Sequence, residues 1–191
     1  ARNATAADFS VALREGMWTL GENWTGCDVY LFVPDEPWTE QGMPVGLWTR
    51  DVSELFDRLP RNVHLFFVST DPAWVNREAA LNDLGALVDA QLEGMEEEER
   101  VWWQDRVHYV TAQHSQVGGW LQTALQTNAG GVGIDRFQRV RLIGTYADPS
   151  RYYAAASWFQ PNLSYVAHEA NYYNHEAQRE DQGEKSHPVD R

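Results

Sequence analysis

One cysteine, six histidines and twenty-eight acidic residues set the chemistry open to this chain. Cys27 is the single thiol, so a CxxC redox pair, an internal disulfide and a multi-cysteine zinc site are all excluded within the 191 residues. Its neighbours Asp28 and Glu22 disfavour an anionic sulfur, and Cys27 reads as a buried structural thiol ahead of a reactive one. Asp35 and Glu36 follow an apolar segment, where two carboxylates can serve as acid and base. Flanked by Pro34 and Pro37, they read first as a rigid exposed turn. His168-Glu169 and His175-Glu176 invite a metal reading. On a helix, however, the two histidines stand about 10 Å apart along the axis at about 1.5 Å per residue, and the His-Glu-x-x-His pattern is missing. No metal and no cofactor are expected. With Tyr165, Tyr172 and Tyr173 alongside, that segment reads as an amphipathic docking helix. His108, His114 and Ser115 cluster near a strand end without a recognisable nucleophile, base and orienter. Gly130-Gly-Val-Gly133 lacks the preceding strand and following helix of a phosphate loop.

The elements that must position these residues start from Val29-Tyr-Leu-Phe-Val33, a continuous β-branched and aromatic run closed by Pro34. Such a run is a strand covered on both faces, the central strand of an α/β sheet with helices on both sides. A site is then expected just past its carboxyl end, at Asp35, Glu36 and Trp38. Before it, 8–20 reads as an edge hairpin turning at Arg14-Glu-Gly16. After it, a long loop through Trp48 leads to a helix over 52–59, with Val52, Leu55, Phe56 and Leu59 on one face. Val63-His-Leu-Phe-Phe-Val68 is the second strand, parallel to the first through a right-handed crossover. A helix over 73–91 carries Leu81, Leu84, Leu87 and Val88 inward and bends near Gly85. The run Glu96-Glu-Glu-Glu99 is a solvated helix start or loop, and Trp102 and Trp103 anchor that segment back to the body. A third strand over 106–111, a helix over 117–125, a hairpin over 132–143 and helices over 148–159 and 163–179 complete one domain. The polar tail 180–191 reads as a linker.

An apolar fraction of 43% suits a globular core, and a net charge of -13 repels phosphate backbones and anionic membrane surfaces. Nucleic acid is not an expected partner, and no run approaches the roughly 20 apolar residues of a membrane span. Nine Trp, eight Tyr and seven Phe supply core packing or surfaces for a partner. The start Ala1-Arg-Asn-Ala-Thr5 reads as a cut or mature end, and Asn3, Asn23 and Asn162 fit the glycosylation acceptor pattern. An extracellular or periplasmic setting is expected.

The order of strands, and above all the segment Gly133-Ile-Asp-Arg-Phe-Gln-Arg-Val-Arg-Leu-Ile-Gly144, resembles the thioredoxin fold of thiol-disulfide reductases and peroxiredoxin-like proteins over most of 28–159. The resemblance implies a three-layer sandwich with a mixed sheet, a C-terminal β-hairpin and helices on both faces. It does not imply the family's reaction. The Trp-Cys-x-x-Cys position after the first central strand holds Asp35-Glu-Pro-Trp38, and the cis-proline position before the hairpin holds Gly130-Gly131. The expectation is a redox-inactive thioredoxin-like module of a larger exported protein, positioning a neighbouring domain or binding a partner. Its binding residues would be Asp35, Glu36, Trp38, Trp48, His168, Tyr172 and His175. The alternatives are an enzyme with Cys27 as a single-thiol nucleophile, or one using carboxylates and histidines. Asn23-Trp-Thr-Gly-Cys27 and the last aromatic helix also resemble domains preceding the catalytic part of bacterial peptide-N-glycosidase-like proteins, which implies an accessory domain of a secreted glycosidase or amidase.

Overall fold

Two nearly all-apolar segments dictate the architecture. The computed structural model describes residues 4–35, 38–40, 43–45, 52, 56, 59–69, 71, 73–112, 117–127 and 132–142. In chain order the elements are β1 (Ser10–Leu13), β2 (Gly16–Thr19), α1 (Leu20–Asn23), β3 (Val29–Pro34), β4 (Trp38–Glu40), β5 (Met43–Val45) and β6 (Val63–Val68). Then come α2 (Trp74–Glu93), α3 (Glu97–Gln104), β7 (Val107–Val110), α4 (Gly119–Thr127), β8 (Val132–Ile134) and β9 (Val140–Leu142). The result is a mixed α/β structure. Among the described residues a seven-stranded sheet runs β2-β1-β7-β6-β3-β8-β9, and β4 and β5 form a separate pair. β3, β6 and β7 are parallel, whereas β1, β2, β8 and β9 join by antiparallel pairing.

Val29 lies opposite Val63, and the register holds to Pro34 opposite Val68. Successive side chains therefore leave on opposite faces, and both faces are apolar. Val29, Leu31, Val33, Val63, Leu65 and Phe67 meet Leu81, Leu84, Val88 and Leu92 of α2, Trp103 of α3, and Val52, Phe56 and Leu59. On the other face Tyr30, Phe32, Phe66 and Val68 meet Phe9, Val11, Leu13, Trp18 and Leu20, together with Leu121 and Leu125 of α4. Rings knit this second face. Phe32 stacks on Phe66 at 4.5 Å, and Trp18 meets Phe66 edge-on at 4.8 Å.

Several expectations change. β3 is buried on both faces, but the middle strand is β6, because β7 adds beside β6 and brings β1 and β2 with it. The loop after β3 contains the two-stranded pair β4 and β5, with Trp38 opposite Val45. No interruption occurs at Gly85: α2 runs as one continuous helix from Trp74 to Glu93. Leu87 points to solvent, while Leu92 joins the core. The acidic run begins helix α3, whose Trp103 is almost fully buried. At the β8–β9 turn the buried Asp135 accepts from the amides of Phe137 and Arg139, both at 2.9 Å. This local bonding accommodates Gln138 at a positive φ of 60°. The expected helices over 148–159 and 163–179, Leu55, Gly130, Gly131 and the tail lie outside the described residues.

Gly85 tests the helix directly. A Cβ there would sit 3.4 Å from the Arg14 guanidinium and 3.7 Å from the Tyr109 hydroxyl, ordinary contacts with the ends of side chains. Gly85→Ala should therefore raise stability by about 0.5 to 1 kcal/mol, the helix-propensity difference, whereas Trp103→Ala should cost about 3 to 5 kcal/mol through the cavity it leaves. Urea unfolding of both variants checks this, and a destabilising Gly85→Ala would show that α2 packs against β7 more tightly than described.

Candidate functional site

The carboxyl ends of β3 and β6 carry the polar groups to which the sequence pattern points. Asp35 leaves β3 with its amide donating to the Val68 carbonyl at 3.2 Å. Ser69, fully buried at the end of β6, donates its hydroxyl to Asp35 Oδ2 at 2.8 Å. Asp35 is thus a held carboxylate and not a loose turn residue. Two residues on, Asp71 lies just ahead of α2: its carboxylate accepts from the Ala73 amide at 2.7 Å and from Asn76 Nδ2 at 3.0 Å. The buried Arg77 reaches back one turn and donates to the Asp71 carbonyl at 3.0 Å. Beside it Trp74 is half exposed, its ring 5.6 Å from the guanidinium. This edge offers a fixed carboxylate and an exposed aromatic ring, which can orient a donor or cation of a bound group but contains no thiol. Ser69 was not anticipated, and its only signal was a small hydroxyl following an apolar strand.

Of the other predicted binding residues, Trp38 lies in β4, in the pair that comes after Asp35. Glu36, Trp48, His168, Tyr172 and His175 lie outside the described residues, as do His114 and Ser115. Among the described residues no three His, Cys, Asp or Glu side chains converge as a metal site.

Cys27 sits at the opposite, amino-terminal edge, and it is exposed, not buried. The reason is local. Thr25 Oγ1 accepts from the amides of Cys27 and Asp28, both at 3.1 Å, and donates to Asp28 Oδ2 at 2.6 Å. This tight turn ahead of β3 leaves position 27 at its rim, while Asp28 goes under.

Beside that turn lies a chain of polar side chains that the sequence pattern did not assemble. His64 Nδ1 is 3.1 Å from His108 Nε2, and His108 Nδ1 is 2.7 Å from Glu15 Oε1 in the β1–β2 turn. His64 Nε2 faces Asp28 Oδ2 at 3.9 Å. The imidazoles stack at 5.4 Å, with Tyr30 against His64 and Phe66 against His108. Burial, reinforced by the adjacent His108, pushes His64 down to about 4 against the pull of Asp28. Burial also lowers His108, against the hydrogen bond it makes to Glu15. Both rings are neutral at pH 7. Val63-His64 and Val107-His108 begin two adjacent parallel strands with the same dipeptide, but the register sets His108 opposite Phe66, two residues past His64, so the repeat by itself does not pair the rings.

No protein-family model matches the chain, and no curated protein matches it. Solved structures similar to it include a yeast mitochondrial 1-Cys peroxiredoxin, at 16% identity and TM-score 0.49 over 95% of this chain and 78% of that one. Another is a hypothetical protein from Sinorhizobium meliloti 1021, at 14% identity and TM-score 0.47 over 98% of this chain and 88% of that one. At these values the likeness says nothing about what this chain does.

Two measurements test the edges. Ser69→Ala should cost about 1 to 2 kcal/mol in urea unfolding, because it strips a buried donor from Asp35; an unchanged midpoint would mean the carboxylate is held by other groups. For His64 the folded value lies below the unfolded 6.5, so its contribution is complete above pH 6.5 and is lost as pH falls toward 4. The loss should approach about 3 kcal/mol. Unfolding curves of wild type and His64→Gln across that range should converge on the acid side, and parallel curves would refute the assignment.

Proposed function

We propose that this chain is a three-layer thioredoxin-like module that performs no thiol-disulfide exchange and acts in domain positioning or partner binding within a larger exported protein. The single observation that carries this reading is the position of the only thiol. Cys27 precedes β3 at the amino edge, while the carboxyl end of the same strand, where thioredoxin-like redox chemistry would sit, carries Asp35 bonded to Ser69. The strand arrangement supports the fold part of the reading. β6, β3, β8 and β9 are adjacent, with β3 parallel to β6 and antiparallel to β8, the pattern expected for the thioredoxin-like core. The two apolar clusters on opposite faces of the sheet support the layering.

The binding edge on this reading is built on Asp35 and Trp74, to which Trp38 and the aromatic segment around His168, Tyr172 and His175 would add. A partner bearing a cation or amide donor suits an edge that carries both a held carboxylate and an exposed indole. A neighbouring domain of the parent chain is the first candidate, and the catalytic part of a secreted glycosidase or amidase is one such setting.

An insulin-reduction assay decides between this reading and a one-cysteine enzyme. Because Cys27 is exposed, a thiol probe should label the native protein readily, so labelling alone does not report activity. Wild type and Cys27→Ser should both give only background turnover. Turnover present in wild type and lost in Cys27→Ser would overturn the proposal.

A further inference from the structure

The imidazole chain at the amino edge is independent of the binding edge. Three gaps separate its four groups: 2.7 Å from Glu15 to His108, 3.1 Å from His108 to His64, and 3.9 Å from His64 to Asp28. Two neutral imidazoles carry one N–H each, so only two of the three gaps can hold a hydrogen bond. An ionised carboxylate accepts and never donates. The 2.7 Å contact therefore places the His108 proton on Nδ1, and His108 Nε2 becomes an acceptor for the Nδ1 proton of His64. His64 Nε2 is left with its lone pair facing Asp28 Oδ2, and that gap is too long for a hydrogen bond. Running the chain the other way would press the Glu15 carboxylate against a lone pair at 2.7 Å.

We propose that Glu15, His108, His64 and Asp28 form a directional one-proton site, in which Glu15 sets the direction and a third proton binds between His64 Nε2 and Asp28 Oδ2. Burial opposes a proton on either ring, and the surrounding charges decide where one is taken and resist a second. Asp28 at the start of β3 faces His64, and Glu15 of the β1–β2 turn faces His108, each favouring a cation. Arg106, which precedes β7, opposes protonation of both rings, and Asp105 beside it favours His108. The Tyr30 ring stacks on His64 and is itself held neutral by burial. With the imidazoles stacked at 5.4 Å, one cationic ring discourages the other. The proton also reaches the thiol turn, because the Asp28 oxygen that would receive it already accepts from Thr25. Proton occupancy and the turn carrying Cys27 thus share one carboxylate.

Direction can be read at pH 7.5, away from acid unfolding, by nitrogen-resolved NMR of the imidazole tautomers. Wild type should show Nδ1–H on both His64 and His108. In Glu15→Ala, Asp28 is the only terminal carboxylate and both rings should turn over to Nε2–H, the tautomer ratio on His64 shifting by roughly tenfold or more. Glu15 is exposed in a turn, so its truncation leaves the core filled. Wild type with Nε2–H on His64, or a Glu15→Ala variant in which neither ring changes, would overturn the proposal.

Discussion

The parallel pairing of β3 with β6 sets two apolar strands in register, Val29 to Pro34 against Val63 to Val68, and neither face of that pair can meet water. Everything else in the sheet answers to this. One face is covered by α2, α3 and the residues Val52, Phe56 and Leu59; the other by the N-terminal hairpin, α1 and α4. Burying a large apolar side chain contributes about 1.5 to 3 kcal/mol, so the covering elements are held chiefly by the strands beneath them. This is why α2 tolerates a glycine at position 85 and an exposed leucine at position 87 without breaking.

The same pair separates the two polar regions by the length of a strand. At the carboxyl end the strands stop together, and Asp35 and Ser69 meet because Pro34 and Val68 are ladder partners. At the amino end the apolar face is interrupted by Tyr30, His64 and His108, which bring Asp28 and Glu15 with them. An imidazole pair on a buried sheet face is stable only if its nitrogens are matched, and the hairpin turn supplies that match through Glu15. The hairpin thereby closes one core and completes one polar chain.

The exposed Cys27 has its origin in the same geometry. A chain entering a strand covered on both faces must pass from surface to interior within a few residues, and here the transition falls between Cys27 and Asp28. Thr25 makes the turn with a single hydroxyl that serves two amides and a carboxylate. The acidic neighbours at positions 22 and 28 were visible in the sequence, but which side of the surface boundary the thiol occupied was not.

Local pattern alone located the long apolar strands, the α2 periodicity of Leu81, Leu84 and Val88, and the turn at Arg14-Glu-Gly16, and it left the glutamate run as a helix start or a loop, because each depends on neighbours within a few residues. It also limited the sulfur chemistry, since one cysteine cannot form an internal pair. It did not reveal that β6 is the middle strand, since strand order depends on where β7 adds, nor the β4 and β5 pair, whose short segments carry little periodic signal. The meetings of Asp35 with Ser69 across 34 positions and of His108 with Glu15 across 93 were decided by tertiary structure. The physical reason is the same in both cases. A polar group's partner is set by strand register and turn placement, and those are fixed only when the two apolar faces are buried together.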